Sequence, residues 1–209
     1  MRHNPKHAMT DAAVVRRLIT ENPWATIVSH NGEELVASHY PVLLDDGAAP
    51  EQLTVVTHVG RPDERVHDLG DSEVLLIVAG PHGYISPSWY SEQATRVPTW
   101  NFSVAHCYGV PEILDPDENV RVLTRLVAHF ERHVEEPLWL EPETAQRLAP
   151  GTVGIRLPIS RFVCKVKMSS DKDPDSQQRV LAQLRGSGPY ANSALADDME
   201  RELARQRRR

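Results

Sequence analysis

From residue 24 to residue 114, strand signals follow one another with hairpin-length gaps and no long helix between them. WATIVS (24–29) is followed by NGEE (31–34), whose Asn-Gly pair is a hairpin signal. LVASHYPVLL (35–44) returns as the partner strand, broken near Pro41. After the turn DDGAAPEQ (45–52) come LTVVTHV (53–59), the apolar SEVLLIVAG (72–80) and VAHCYGVPEIL (104–114). GTVGIRLPISRFVCKVKMS (151–169) adds one or two strands. In its second half Phe162, Cys164, Val166 and Met168 alternate with Val163, Lys165 and Lys167. Six or seven strands so spaced cannot build a β-α-β-α parallel sheet. They predict an α+β protein on an antiparallel sheet or barrel.

Helical periodicity lies around this strand region. Thr10 can cap a helix over 11–22, with Val14, Val15, Leu18 and Ile19 on one stripe. Pro62 starts a short helix that Gly70 stops. Residues 115–136 form an amphipathic helix capped by Asp115 or Asp117, with Val120, Leu123, Val127, Phe130 and Val134 as its apolar stripe. Two further helices, over 176–184 and 193–205, are joined by RGSGPYAN (185–192). The expected organisation is a domain over 1–170 and a helical extension over 171–209.

The longest apolar run, 74–79, is too short to span a bilayer, and the start of the chain has no apolar leader. Cys107 and Cys164 lie in strand-like runs without metal or redox spacing, so a reducing, cytoplasmic setting is expected. A net charge of −6 disfavours a broad nucleic-acid face. The charge is uneven: from Asp171 onward eight basic residues face seven acidic ones, ending in the basic tip ARQRRR.

Phosphate cradles of the G-x-G-x-x-G and Walker types are absent, as are G-x-S-x-G and H-E-x-x-H. HFERH sets His129 and His133 one helical turn apart, but a charged context and no third ligand favour a wet helix face over a metal pair. His106 and Cys107, as neighbours on a strand, point to opposite faces and do not form a nucleophile–base pair.

One stretch, GPHGYISPSWYSEQATRVPTWN (80–101), is read as a loop and holds an excess of rings: Tyr84, Trp89, Tyr90 and Trp100, with His82. SHYP (38–41), THVGRP (57–62) and VPTWNFSVAHCYG (97–109) share its style, each placing His, Thr, Ser or Asn at a strand end beside Gly or Pro. Flat rings, neutral hydrogen-bonding groups and the cation of Arg61 suit a planar, polar-edged, phosphate-bearing ligand.

GPHGYISPSWY, VPTWN and VAHCYG closely resemble the PaiB-like family of FMN-binding negative transcriptional regulators, which shows G-P-H-x-Y-I-S-x-S-W-Y, then V-P-T-W-N, then a His and Y-G. SHYP resembles the family's H-x-P and THV its H-x-A. The resemblance implies an antiparallel split β-barrel of the flavin-reductase type with peripheral helices. It further implies a homodimer with FMN in a groove between subunits. On that basis His39, Thr57, His58, Val59 and Arg61 line the flavin or its phosphate. Trp89, Tyr90, Thr99, Trp100 and Asn101 close the pocket, and Lys167, with Lys165, adds positive charge. Two departures stand out: Arg61 falls where the family often has Asn, and Ser170 and Asp171 replace a Gln-Asn pair.

Three functions compete. One is an FMN-dependent oxidoreductase, with His82 and His106 as the available bases. A second is a flavin-sensing regulator that reaches DNA through the Arg-rich tip or acts through protein contacts. The third is haem binding through His39, His58, His82 or His106.

Overall fold

The computed structural model describes residues 4–49, 51–95 and 97–208. The first three residues, Pro50 of the expected turn, Arg96 of the aromatic stretch and Arg209 of the basic tip lie outside the described residues. The strands are β1 (Ala8–Met9), β2 (Trp24–His30), β3 (Leu35–Pro41), β4 (Leu43–Leu44), β5 (Thr54–Gly60), β6 (Val74–Ile85), β7 (Thr99–Gly109), β8 (Glu112–Ile113), β9 (Thr152–Pro158) and β10 (Arg161–Lys167). The helices are α1 (Ala12–Glu21), α2 (Asp63–Val66), α3 (Pro116–Glu131), α4 (Pro142–Leu148), α5 (Pro174–Arg185) and α6 (Ser193–Arg207). Strand pairing gives two sheets, ordered β1-β10-β7-β6-β2-β3 and β4-β5-β9-β8. The antiparallel α+β expectation holds. The strands form two open sheets and not one closed ring.

The chain divides into two compact units. One, here the hairpin unit, comprises Asp11–Val78 and His106–Phe162. The other, the aromatic unit, comprises Met1–Thr10, Ala79–Ala105 and Val163–Arg209.

In the hairpin unit, β2 and β3 pair from Trp24↔Pro41 to His30↔Leu35. The Asn31 side chain closes their turn by accepting from the N–H groups of Glu33 and Glu34 at 3.1 and 3.0 Å. Gly32 sits at φ +92°, a conformation open to glycine at little cost. Leu43, Val56, Leu114, Val122 and Leu126 form a core under α3. Fully burying each such side chain contributes about 1.5–3 kcal/mol. The N-cap of α1 is Asp11, not Thr10: its carboxylate accepts from Ala13 N at 2.9 Å. Asp115 caps α3, accepting from Glu118 N at 2.8 Å.

The buried face of α3 differs from the expected stripe. It consists of Asn119, Val122, Leu123 and Leu126, while Phe130 and Val134 are exposed. Its polar member is Asn119, whose amide donates to the Ala149 and Thr152 carbonyls at 3.1 and 3.2 Å. Gly154 admits this contact, since a Cβ there would lie 3.0 Å from Asn119 Cα. A polar residue thus lies on the buried face, which an apolar stripe alone does not reveal. Helix α4, opened by Pro142, was not foreseen.

In the aromatic unit, β1 pairs with β10 through Ala8↔Lys165 and Met9↔Cys164. The alternation read from sequence is present in β10, where Cys164 and Val166 are buried between more exposed neighbours. Helices α5 and α6 are capped by Asp173 and Asn192. They bury Val180, Leu181, Leu184, Leu195, Ala196 and Met199. The stretch expected to be a loop is largely regular: β6 runs on to Ile85, a 3-10 turn covers Pro87–Trp89, and β7 begins at Thr99.

Gly109, at the end of β7, has no room for a side chain: a Cβ would lie 2.1 Å from the Pro158 carbonyl oxygen. Gly109→Ala is expected to destabilise the protein by roughly 1–3 kcal/mol. Thermal unfolding of the purified variant checks this, and an unchanged Tm contradicts the packing.

Candidate functional site

The residues singled out by sequence divide between the units. In the aromatic unit, β7 carries Thr99, Trp100 and Asn101 in succession, and strand alternation separates them. Trp100 is 53 % exposed while Asn101 is fully buried. The Trp100 ring lies 6.5 Å from that of His82 and 6.3 Å, edge-on, from that of Tyr84. Tyr84 in turn meets Tyr190 at 5.2 Å, and Trp89 meets Tyr190 at 6.4 Å. Tyr190, from the α5–α6 link, was missed by the sequence reading. Trp100 and Phe102 line a shallow, mainly apolar cleft of about 360 Å³ with Ala79, His82, Ser103 and Val104.

Asn101 exchanges hydrogen bonds with the Ser169 hydroxyl at 3.0 and 3.1 Å. Ser169 holds a left-handed backbone at φ +54°. Tyr90 is also fully buried, with Lys172 Nζ 4.9 Å from its ring centroid. Burial raises the titration of the Tyr90 hydroxyl. Asn101 and Tyr90 thus belong to the interior.

A basic cluster lies beside these rings. Lys167 Nζ donates a short hydrogen bond to the Thr99 hydroxyl. Burial pushes the Lys167 ammonium below its ordinary range, and Lys165 and Lys172 push the same way against Asp171. Lys165 Nζ sits 5.5 Å from the Phe102 ring, part of the cleft wall. His7, unremarked in the sequence, is buried with Nδ1 unpartnered among the described residues. Burial lowers its titration, Asp171 opposes this, and Lys167, Lys165 and Lys6 reinforce it.

In the hairpin unit, β5 turns Thr57 and Val59 inward, and both are buried. The Thr57 hydroxyl donates to the Pro41 carbonyl at 2.5 Å. His58, on the other face, has a buried Nδ1 without a partner among the described residues, and burial lowers its titration. Arg61 donates to the Pro150 carbonyl at 3.1 Å and pairs with Glu64 at 2.7 Å. His39 stacks on Trp24 at 6.4 Å and shares a 2.9 Å hydrogen bond with Thr26.

The neighbours of His39 enter a network that the sequence did not reveal. Ser38 and Tyr40 both donate to Asp63 Oδ2, at 2.7 and 2.6 Å. Ser38 Oγ lies 2.9 Å from His67 Nε2, and His67 Nδ1 lies 2.8 Å from Ser29 Oγ. Because Ser38 spends its proton on Asp63, His67 donates from Nε2, and in the ring form that burial favours it accepts from Ser29 at Nδ1. That is the neutral imidazole, in keeping with the burial that lowers its titration. The Tyr40 hydroxyl is pushed up to about 12, first by burial and then by its bond to Asp63.

Among the described residues no group of three His, Cys, Asp or Glu converges to hold a metal, and no helix is long and apolar enough to cross a membrane. The family model described as "Putative FMN-binding domain" matches residues 1–161. The chain belongs to this family. It is 29% identical to the Protease synthase and sporulation protein PAI 2 of Bacillus subtilis (strain 168), over 97% of this chain and 98% of that one. It is 24% identical to the uncharacterised protein AN0679 of Emericella nidulans, over 91% and 93% of the two chains. Two solved structures share the fold at 15% identity. One, of the FAD and heme binding protein from Mycobacterium smegmatis, has a TM-score of 0.60 over 82% of this chain and 78% of that one. The other, of the flavocytochrome Anf3 from Azotobacter vinelandii, has a TM-score of 0.59 over 80% and 72%.

FMN is the cofactor of the family. The donor set of the aromatic unit fits it: exposed ring faces around an apolar cleft with Lys165 against its Phe102 wall, and Lys167 bonded to Thr99 at the start of β7. In the hairpin unit His58 alone of the expected residues has an unpartnered buried nitrogen.

The network around Asp63 has a measurable signature. Hydrogen bonds from Tyr40 and then Ser38 hold its carboxyl below the usual carboxylate range. A depressed folded-state pKa contributes stability above the unfolded value of about 4 and loses it as pH falls through the folded value. Asp63→Asn is therefore expected to cost about 1–3 kcal/mol at pH 7 and to flatten the loss of stability below about pH 4. Urea unfolding of both proteins across pH 2–7, on the order of one pH unit per step, measures it. An unchanged acid limb contradicts the assignment.

Proposed function

We propose that this chain is an FMN-binding flavoprotein of the split-barrel type whose flavin serves a redox or flavin-sensing role. The observation that carries this reading is the Trp100–Phe102 cleft with Lys165 against its Phe102 wall and Lys167 bonded to Thr99 on the same strand. A bound flavin supplies one- and two-electron chemistry that no side chain here offers. In this reading Trp100 and Trp89 present ring faces to the isoalloxazine, and Lys167 with Thr99 faces the phosphate. Asn101 and Tyr90 position those groups from within the core. His39, His58 and Arg61 complete the surroundings of the cofactor in a groove between two copies of the chain, and Thr57 and Val59, both buried, pack behind them. The two fold neighbours named for flavin support the split-barrel type.

A regulatory role is supported by the family resemblance and by the Arg-rich tip; binding to duplex DNA with steep salt dependence is its test. Haem is the alternative ligand, with the unpartnered nitrogen of His58 favouring it.

The absorbance spectrum of the purified protein, before and after FMN loading and desalting, separates these readings. Retained bands at roughly 375 and 450 nm support flavin, and an intense band near roughly 400 nm replaces it with haem. A colourless protein that releases FMN removes both. Trp100→Ala and Lys167→Met are expected to weaken FMN binding by roughly 10-fold or more, with circular dichroism unchanged. Undiminished retention in both variants contradicts the assigned cleft.

A further inference from the structure

We infer that the cleft bounded by α1, β4 and α3 in the hairpin unit binds a small organic monocarboxylate, at a site distinct from the residues assigned to FMN. The cleft measures about 420 Å³, within the range of small-molecule sites. Its floor is hydrocarbon: Ile19 and Val42 are fully buried, Leu43 nearly so, and Ala128 adds a methyl. Its rim is polar. Arg125, His129 and Arg132 stand at i, i+4 and i+7 of the helical register, so one stripe presents all three. His129 is therefore half-buried in a cleft wall, not on the wet face expected for it.

The charges on the rim do not cancel. Arg125 pairs with Asp46 at 2.6 Å and Asp45 at 3.7 Å, and it also donates to the Leu44 carbonyl. Arg132 has no carboxylate partner among the described residues; its Nε donates to His133 Nε2 at 3.0 Å. The Thr20 hydroxyl is spent on the Arg16 carbonyl at 3.0 Å, so it brings no donor. One guanidinium and one imidazole N–H remain for a ligand. Burial pushes the His129 imidazole below its ordinary range, and Arg132, His133 and Arg125 reinforce this against Asp46. A single surplus cation suits a monoanion. The carboxylate of Asp46 on the same rim opposes a dianion. The buried floor calls for an apolar body behind the anionic group.

Benzoate, benzamide and inorganic phosphate are suitable probes of the full-length protein, with the His129 imidazole followed by NMR and affinity by calorimetry. Saturable benzoate binding that raises the His129 titration supports the site, because a nearby anion favours imidazolium. Arg132→Gln, at an exposed position, is expected to weaken benzoate by roughly 10-fold or more. Ala128→Phe is expected to block the cleft. Equal binding of benzamide reduces the site to an apolar crevice and overturns the proposal. So does preference for phosphate, full benzoate affinity in Arg132→Gln, or no benzoate response at His129.

Discussion

The buried pair of Asn101 and Ser169 governs the rest of the aromatic unit. An amide and a hydroxyl with no access to water must satisfy one another, and leaving either unpaired costs about 1–3 kcal/mol. Once Asn101 points inward, the two-residue period of β7 turns Trp100 out, whatever the hydrophobic preference of the indole. At the start of the same strand the Thr99 hydroxyl meets Lys167. Ser169 accepts a left-handed backbone to complete the pair, a strain the surrounding contacts must outweigh. One interior hydrogen-bonded pair thus fixes which way the indole of Trp100 points.

Electrostatics separates structural charges from available ones. In the hairpin unit Arg156 lies between Asp45 and Glu118, 2.9 Å from each. Hydrogen bonds to Glu118 and then Asp45 drive its titration upward, so every charge there stabilises its neighbour. The basic cluster of the aromatic unit works the other way. Lys167 is opposed by burial and by two other lysines, and Asp171 offsets only part of this. Such an arrangement raises the energy of the protein alone and falls in energy when an anion arrives. The cleft rim around Arg132 shows the same imbalance on a smaller scale.

The sequence carried the strand alternation, the hairpin turn at Asn31 and the cap at Asp115, because each depends on residues a few positions apart. What it hid was set by contacts distant along the chain. Asn119 faces inward on α3, where its amide reaches two carbonyls 30 and 33 residues away and joins Val122, Leu123 and Leu126 on the buried face. Gly80, Pro81 and Gly83 read as turn punctuation, yet β6 runs through them; a Cβ at Gly83 would lie 3.0 Å from Leu195. That glycine answers to a helix over a hundred residues away. The site was legible in part for the same reason. Trp100 and Lys167 stand out by composition and alternation, while His7 and Tyr190 join only through the fold.

The motif VPTWN shows why a family match and a binding site are separate arguments. Its Asn101 is spent inside the protein, and Thr99 is joined to Lys167. Core packing alone would preserve such residues even in a chain that held no ligand. Core packing does not explain an indole more than half exposed beside an apolar cleft, nor lysines gathered against their mutual repulsion. Both features are unfavourable in the isolated chain, and a planar, anionic cofactor seated there would relieve both. The family names FMN; these two features are the grounds on which its place in this chain is proposed.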